Sequence, residues 1–274
     1  MLPFAKQIRF ASPSRFVQIA VSVVCLSSVA GCVTSTSSVN TSSTNSEISA
    51  TPVSSAVTYQ TTSKEYRVLS EFVYKQAEAA LPLQFTKNEV IVMDVDETVL
   101  DNSQYQKERE SVGLGYTSKS WESWVKRKEA SLVPGVNSFL NAVLAREGKV
   151  VLITNRDKQL DRYTWENLLA LGLPLTPANT CIVGREKADK MALGQTGIIN
   201  DKDRRRALLR EGKINCSIDE QSETWREQHT IIMQIGDNVE DFSGITQESA
   251  DLSQLRQKVG SEYFLLPNPM YGSW

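Results

Sequence analysis

The sequence predicts an α/β fold with a mostly parallel sheet, and three observations lead there. Short, uninterrupted apolar runs recur along the chain, helical stretches lie between them, and polar residues gather just after the runs. The runs are Val90-Ile91-Val92-Met93, Val150-Val151-Leu152-Ile153, Thr180-Cys181-Ile182-Val183, Ile231-Ile232-Met233-Gln234-Ile235 and Tyr263-Phe264-Leu265-Leu266. Continuous apolar character over four or five residues is what a strand covered on both faces requires. Residues 64–81 carry Val68, Leu69, Phe72, Val73, Ala77, Ala80 and Leu81 at helical spacing, closed by Pro82. Further helical stretches lie around 135–147 and 158–171. Strands alternating with helices read as a parallel sheet with helical crossovers.

The 274 residues carry a net charge of -2. That balance offers no basic footprint for a nucleic acid polymer. An anionic small molecule has to be held locally, by a metal ion or a few cations. Lys6, Arg9 and Arg15 precede a mostly apolar run at 16–30, which has the length and flanks of an export signal and is short for a membrane span. Val29-Ala30-Gly31-Cys32 is similar to the lipobox of bacterial lipoproteins, in which the cysteine is lipidated. Residues 1–31 are therefore expected to be a lipoprotein signal peptide, with Cys32 the lipidation site. Of residues 33–63, 18 are Ser or Thr. Such a stretch buries too little surface to offset its ordering entropy, so 32–63 is expected to be a tether and 64–274 the folded domain. Cys25 leaves with the signal. Cys181 and Cys216 remain, and an oxidising compartment leaves open whether they pair or stay separate thiols.

Ligands of open α/β sheets bind beyond the carboxyl ends of the strands. The residues there are Asp94-Val95-Asp96-Glu97-Thr98, Thr154-Asn155-Arg156 and Gly236-Asp237-Asn238. Asp94 and Asp96, two apart on an extended chain, share a face. Close like charges push carboxyl pKa values apart, which supplies one ionised nucleophile and one protonated acid. Asp237 and Asp241 add two more carboxylates after another strand, and hard oxygen ligands suit Mg²⁺. Thr154 adds a hydroxyl donor.

Ile91-Val92-Met93-Asp94-Val95-Asp96-Glu97-Thr98-Val99-Leu100-Asp101-Asn102-Ser103-Gln104-Tyr105 resembles the first signature of the class C acid phosphatases, lipoproteins of the haloacid dehalogenase superfamily. Ile232-Met233-Gln234-Ile235-Gly236-Asp237-Asn238-Val239-Glu240-Asp241-Phe242 resembles their second signature, and the closing residues 266–274 are similar to their C-terminus. Val95 and Val239 stand where Ile or Leu is usual. The resemblance implies a Rossmannoid three-layer sandwich in which the segment 99–132 forms a small helical cap insertion. It implies a Mg²⁺-dependent phosphomonoesterase with nucleoside 5′-monophosphates as substrates. Asp94 is the implied nucleophile and Asp96 the acid and base. Mg²⁺ is held by Asp94, the backbone carbonyl of Asp96 and Asp237, while Asp241 orients the ligands. Thr154 binds the phosphoryl group.

The superfamily also needs a lysine for the phosphoryl oxygens. Lys202, ahead of Arg204-Arg205-Arg206, fits that place, with Lys187 and Lys190 as alternatives; the arginine run reads as a mostly solvated helical face. Asn155, Tyr105, Trp121, Trp124 and Tyr271 are expected to contact substrate, the aromatics by stacking on a nucleoside, although each Trp could equally be core. His229, the one histidine, precedes a strand and is expected to be structural or exposed. The family implies an exported enzyme on the cell envelope, with the outer membrane expected; the number of copies in the assembly stays open. Two other readings are phosphotransfer to an alcohol and a non-catalytic binding lipoprotein.

Overall fold

The computed structural model describes residues 52–216 and 223–274. The signal segment 1–31, Cys32 and the tether as far as residue 51 lie outside the described residues. The chain opens with α1 (Ser55–Thr62) and α2 (Lys64–Ala79), then β1 (Glu89–Met93). A short hairpin of β2 (Leu100–Asp101) and β3 (Ser131–Leu132) brackets α3 (Ser103–Ser111) and α4 (Ser118–Arg127). There follow α5 (Val136–Ala145), β4 (Val150–Asp157), α6 (Asp161–Ala170) and β5 (Thr180–Arg185). The chain continues through α7 (Lys187–Ala192), α8 (Asp203–Arg210), β6 (Thr230–Gly236), α9 (Leu252–Lys258) and β7 (Tyr263–Leu265).

The main sheet runs β5-β4-β1-β6-β7, and every pairing in it is parallel. Alternation along the strands sorts their side chains into two cores. Ile91, Met93, Val150, Leu152 and Ile182 pack with residues of α2, α5 and α6, including Tyr74, Phe139 and Leu168. Val90, Val92, Val151, Ile153 and Cys181 pack on the other face with Leu209 and Trp225. Apolar area removed from water on both sides holds the three layers together, at about 25 cal/mol per Å². The chain leaves β1 for β4 on one side and reaches β6 on the other, so the order reverses at β1. That reversal opens a crevice at the carboxyl edge.

The predicted cap is this pair of helices, α3 and α4, closed at its base by Leu100↔Leu132 and Asp101↔Ser131. The folded part starts earlier than Lys64, because α1 lies inside the stretch expected to be tether. Ser54 caps it, accepting from Val57 N at 3.3 Å. Val57 and Gln60 are buried. Ser54 N and Oγ both donate to Glu110 of α3, at 2.6 and 3.0 Å, and Gln60 donates to Asp101 at 3.1 Å. Serine-rich composition hid a capped helix with two inward residues. His229 is buried against the Trp225 ring, with centroids 5.3 Å apart.

Cys181 of β5 pairs with Cys216, their Cα atoms 5.1 Å apart and 35 residues apart in the chain. A crosslink over that span stabilises by about 2–4 kcal/mol through the unfolded chain. Replacing both cysteines with alanine is expected to lower the unfolding free energy by about that amount. Urea titration measures it, and wild type unfolded in reductant should show a similar midpoint. Coincident curves for oxidised wild type and the double variant would show that the crosslink carries no stability.

Candidate active site

The site is assembled from the carboxyl ends of β1, β4 and β6 and the start of α8. Asp94 follows β1 directly, and its N–H donates to Ile235 O at 2.9 Å, extending the ladder. The chain then turns sharply. Glu97 sits at φ 56, a region that non-glycine residues enter only when their surroundings hold them there. Here Glu97 N donates to Leu100 O at 2.8 Å, and its buried carboxyl accepts from Asn102 N at 2.7 Å. Burial, and then the charges of Asp96 and Asp237, hold Glu97 well above the ordinary carboxylate range. From α2, Tyr74 OH donates to Thr98 O at 2.6 Å and fixes the same turn.

Asp237 follows β6 and receives Thr98 Oγ1 at 3.1 Å and Asn268 Nδ2 at 2.8 Å. A short 3₁₀ turn, Val239–Asp241, brings Asp241 back over the strand end. Its Oδ2 accepts from Asn238 N at 3.0 Å. A Cβ on Gly236 would stand 2.0 Å from that Oδ2, so glycine is required for the approach. One carboxylate oxygen each from Asp94, Asp237 and Asp241 lie within 4.8 Å of one another. Lys202, at the start of α8, donates to Asp94 and, at 2.5 Å, to Asp241. Lys187 and Lys190 lie exposed on α7.

Burial pushes Asp94 up to about 7; Lys202 opposes the shift, while Asp241 and Asp96 add to it. Withdrawal from water, then Asp241 and Asp94, holds Asp237 well above the usual range. Burial pulls Lys202 down, but Asp241 and Asp94 outweigh it and hold it above its ordinary value. When all three are ionised, these carboxylates outnumber the one ammonium and carry net negative charge, which is part of what raises Asp94 and Asp237. Hard, crowded oxygen donors of this kind fit a divalent cation.

The Asp96 carboxylate does not join that cluster. It faces Arg156, which donates from Nε at 2.9 Å and from Nη2 at 2.7 Å. Thr154 Oγ1 lies 3.3 Å from its other oxygen, and Asn102 Nδ2 donates at 3.0 Å. A cavity of about 460 Å³ opens over these groups. Tyr116, Trp121 and Tyr271 line it, as do Asn155 and Arg156.

Two expected substrate contacts lie elsewhere. Trp124 is buried, and its Nε1 donates to Asn102 Oδ1 at 2.8 Å. Tyr105 is buried too, its hydroxyl 2.8 Å from Ser120 Oγ. Both brace the cap because their polar ends find partners inside it. The arginine run also differs from a solvated face. Arg205 and Arg206 are buried. Arg205 donates to Thr154 O, and to Asn155 Oδ1 at 2.9 Å. Arg206 donates to Asn200 Oδ1 at 2.7 Å and to Asp241 O at 3.0 Å.

Arg156, Asn102, Asn268 and Tyr116 join the site without having been given a role from sequence. Arg156 had a signal: it is two residues beyond Thr154, hence on the same inward face, and β4 keeps Thr154 and Arg156 buried with Asn155 exposed between them.

A parallel sheet with Asp94, Lys202 and the acidic pair Asp237 and Asp241 at its carboxyl edge defines a haloacid dehalogenase-type phosphomonoester hydrolase. The chain belongs to the HAD superfamily, subfamily IIIB (acid phosphatase), whose family model matches residues 16–274. It is similar to the class C acid phosphatase from Bacillus anthracis, at 28% identity over 80% of this chain and 84% of that one, with a TM-score of 0.63. The same enzyme with tungstate bound matches at 28% identity, with equal coverage and a TM-score of 0.62.

Because Asp94 and Asp237 sit above the ordinary range, the folded protein holds protons that the unfolded chain releases. The stability they contribute is full below the unfolded carboxylate pKa of about 3.9 and is lost as pH rises, through about 7 for Asp94 and through the raised range of Asp237. Chelator-treated protein is therefore expected to melt lower at about pH 8 than at about pH 5, and the Asp94→Asn, Asp237→Asn double variant to lose most of that slope. Scanning calorimetry at both values checks it; equal slopes in the two proteins would contradict the charge assignment.

Proposed function

We propose that this enzyme hydrolyses phosphomonoesters through an aspartyl-phosphate on Asp94, with Mg²⁺ completing the site and nucleoside 5′-monophosphates as the substrate class. The observation that carries the reading is the placement of Asp94 and Lys202 on the floor of a cavity walled by Trp121 and Tyr271. Asp94 attacks phosphorus in line, and the ester oxygen leaves with the electron pair of its bond. Asp96 supplies the proton that oxygen needs. A water molecule then attacks the aspartyl-phosphate, Asp96 takes the water's proton, and phosphate departs. Lys202 neutralises the phosphoryl oxygens, and Thr154 donates its hydroxyl proton to one of them. Asp94, Asp237 and the backbone carbonyl of Asp96 would hold Mg²⁺, with Asp241 beside them. When bound, the ion supplies charge that lets one anion approach another.

Asp94→Asn is expected to abolish phosphate release while the protein still folds, since an amide does not attack phosphorus. Lys202→Met is expected to cost about 10²-fold or more in kcat, and the same change at Lys187 or Lys190 little. Exhaustive chelation is expected to remove activity and Mg²⁺ to restore it. Phosphate release by malachite green measures all three, and substantial turnover by Asp94→Asn would remove the nucleophile.

The half-buried rings of Trp121 and Tyr271, with Tyr116 beside Trp121 at 6.3 Å between centroids, favour a planar leaving group. Stacking is worth about 1–3 kcal/mol per base. Trp121→Ala is expected to raise KM about tenfold for a nucleoside monophosphate and to leave KM for glycerol phosphate unchanged. Equal effects on both would exclude base stacking. We further propose that Cys32 anchors the exported enzyme to the cell envelope, at the outer membrane. The lipobox-like segment supports this, and labelling with a lipid precursor in wild type and Cys32→Ser tests it.

A further inference from the structure

The two oxygens of Asp96 are treated unequally. Oδ1 accepts from Arg156 Nε at 2.9 Å, Arg156 Nη2 at 2.7 Å and Asn102 Nδ2 at 3.0 Å. Oδ2 has only the longer contacts, 3.2 Å to Arg156 Nε and 3.3 Å to Thr154 Oγ1. Each carboxylate oxygen offers about two lone-pair positions; short contacts fill those of Oδ1, while Oδ2 has only a long hydroxyl contact and a share of Arg156 Nε and keeps capacity. The guanidinium that imposes this cannot easily turn. Its side chain is 1% exposed, Nη1 donates to Thr164 Oγ1 at 3.0 Å, and its central carbon lies 5.6 Å from the Trp121 ring centroid. Asn102 is held in turn by Trp124. A planar fork sets the orientation of a carboxylate in a way a single ammonium does not.

We infer that Arg156 is a positioning residue for Asp96: by occupying Oδ1 it assigns proton transfer to Oδ2. The inference rests on the aspartyl-phosphate reading above. In the first step the proton moves from Oδ2 to the leaving oxygen as the phosphorus–oxygen bond breaks. In the second, Oδ2 takes one proton from the attacking water as its oxygen bonds to phosphorus and the bond to Asp94 breaks. Misorienting Asp96 then hurts esters whose leaving oxygen needs that proton more than esters whose leaving oxygen does not.

The test compares wild type with Arg156→Gly, Arg156→Lys and Asp96→Asn on glycerol phosphate and on nitrophenyl phosphate, at saturating Mg²⁺. Arg156→Gly is expected to lose about 10²-fold in kcat on glycerol phosphate and about tenfold or less on nitrophenyl phosphate, with KM nearly constant for both. Added guanidinium chloride, at concentrations below those that unfold the protein, is expected to recover more of the glycerol phosphate rate. Arg156→Lys should fall between the two. Thermal melting and binding of inorganic phosphate report whether each variant is folded; if Arg156→Gly is not, the two-ester ratio of Arg156→Lys decides. Equal losses on both esters for the arginine variants, with the ester dependence intact in Asp96→Asn, would overturn the inference and leave the proposed function standing. Absence of that dependence in Asp96→Asn itself would remove the acid role of Asp96, and the inference with it.

Discussion

The Lys202 ammonium, buried between Asp94 and Asp241, is the interaction on which the carboxyl edge of the sheet depends. A buried charge is tolerated only when it is paired and hydrogen-bonded. Lys202 meets that condition by joining a residue after β1 to a residue after β6, two segments nearly 150 positions apart. The helix that begins after it repeats the device. One turn on, Arg205 reaches the carbonyl of Thr154 in the carboxyl half of β4, and Arg206 reaches the carbonyl of Asp241. One short basic run thus ties three strand ends together, and the helix is anchored by what it holds in place.

The electrostatics divide the cavity floor into two parts. On one side Asp94, Asp237 and Asp241 crowd together with a single lysine. On the other, Asp96 is matched by Arg156. Like charges repel strongly when water is excluded, so the first group is ready to accept a further cation and the second is not. The division gives two aspartates two residues apart different partners, which the pairing of Asp94 and Asp96 in sequence does not by itself require.

Much of the fold was legible because buried strands need uninterrupted apolar runs, and all five runs became the five strands of the sheet. One Asp-rich turn after a strand is ordinary; the acidic residues stood out because Asp94, Asp96, Asp237 and Asp241 gather with Thr154 at three strand ends. What stayed illegible depends on side-chain direction. Trp121 and Trp124 are three apart on one helix, yet the first lines the cavity and the second turns inward to Asn102; composition does not distinguish them. Arg205 and Arg206 look like surface residues because arginine usually is one, and only the carbonyls they reach explain their burial. α1 was hidden by its hydroxyl side chains, which disfavour order in general but cap a helix when one of them stands at its start.

The cap has consequences for how material enters and leaves. Arg127 of α4 pairs with Glu108 of α3 at 2.6 Å, α1 fastens α3 from outside, and Tyr105 joins α3 to Ser120. These contacts tie the two cap helices to each other and to the start of α1. Trp121 and Tyr271, both half-buried, line the cavity beside this braced cap. Whatever alcohol portion an ester carries, these two rings are aromatic side chains of the cavity wall placed to meet it, and a fixed wall rather than a moving cover is what it meets.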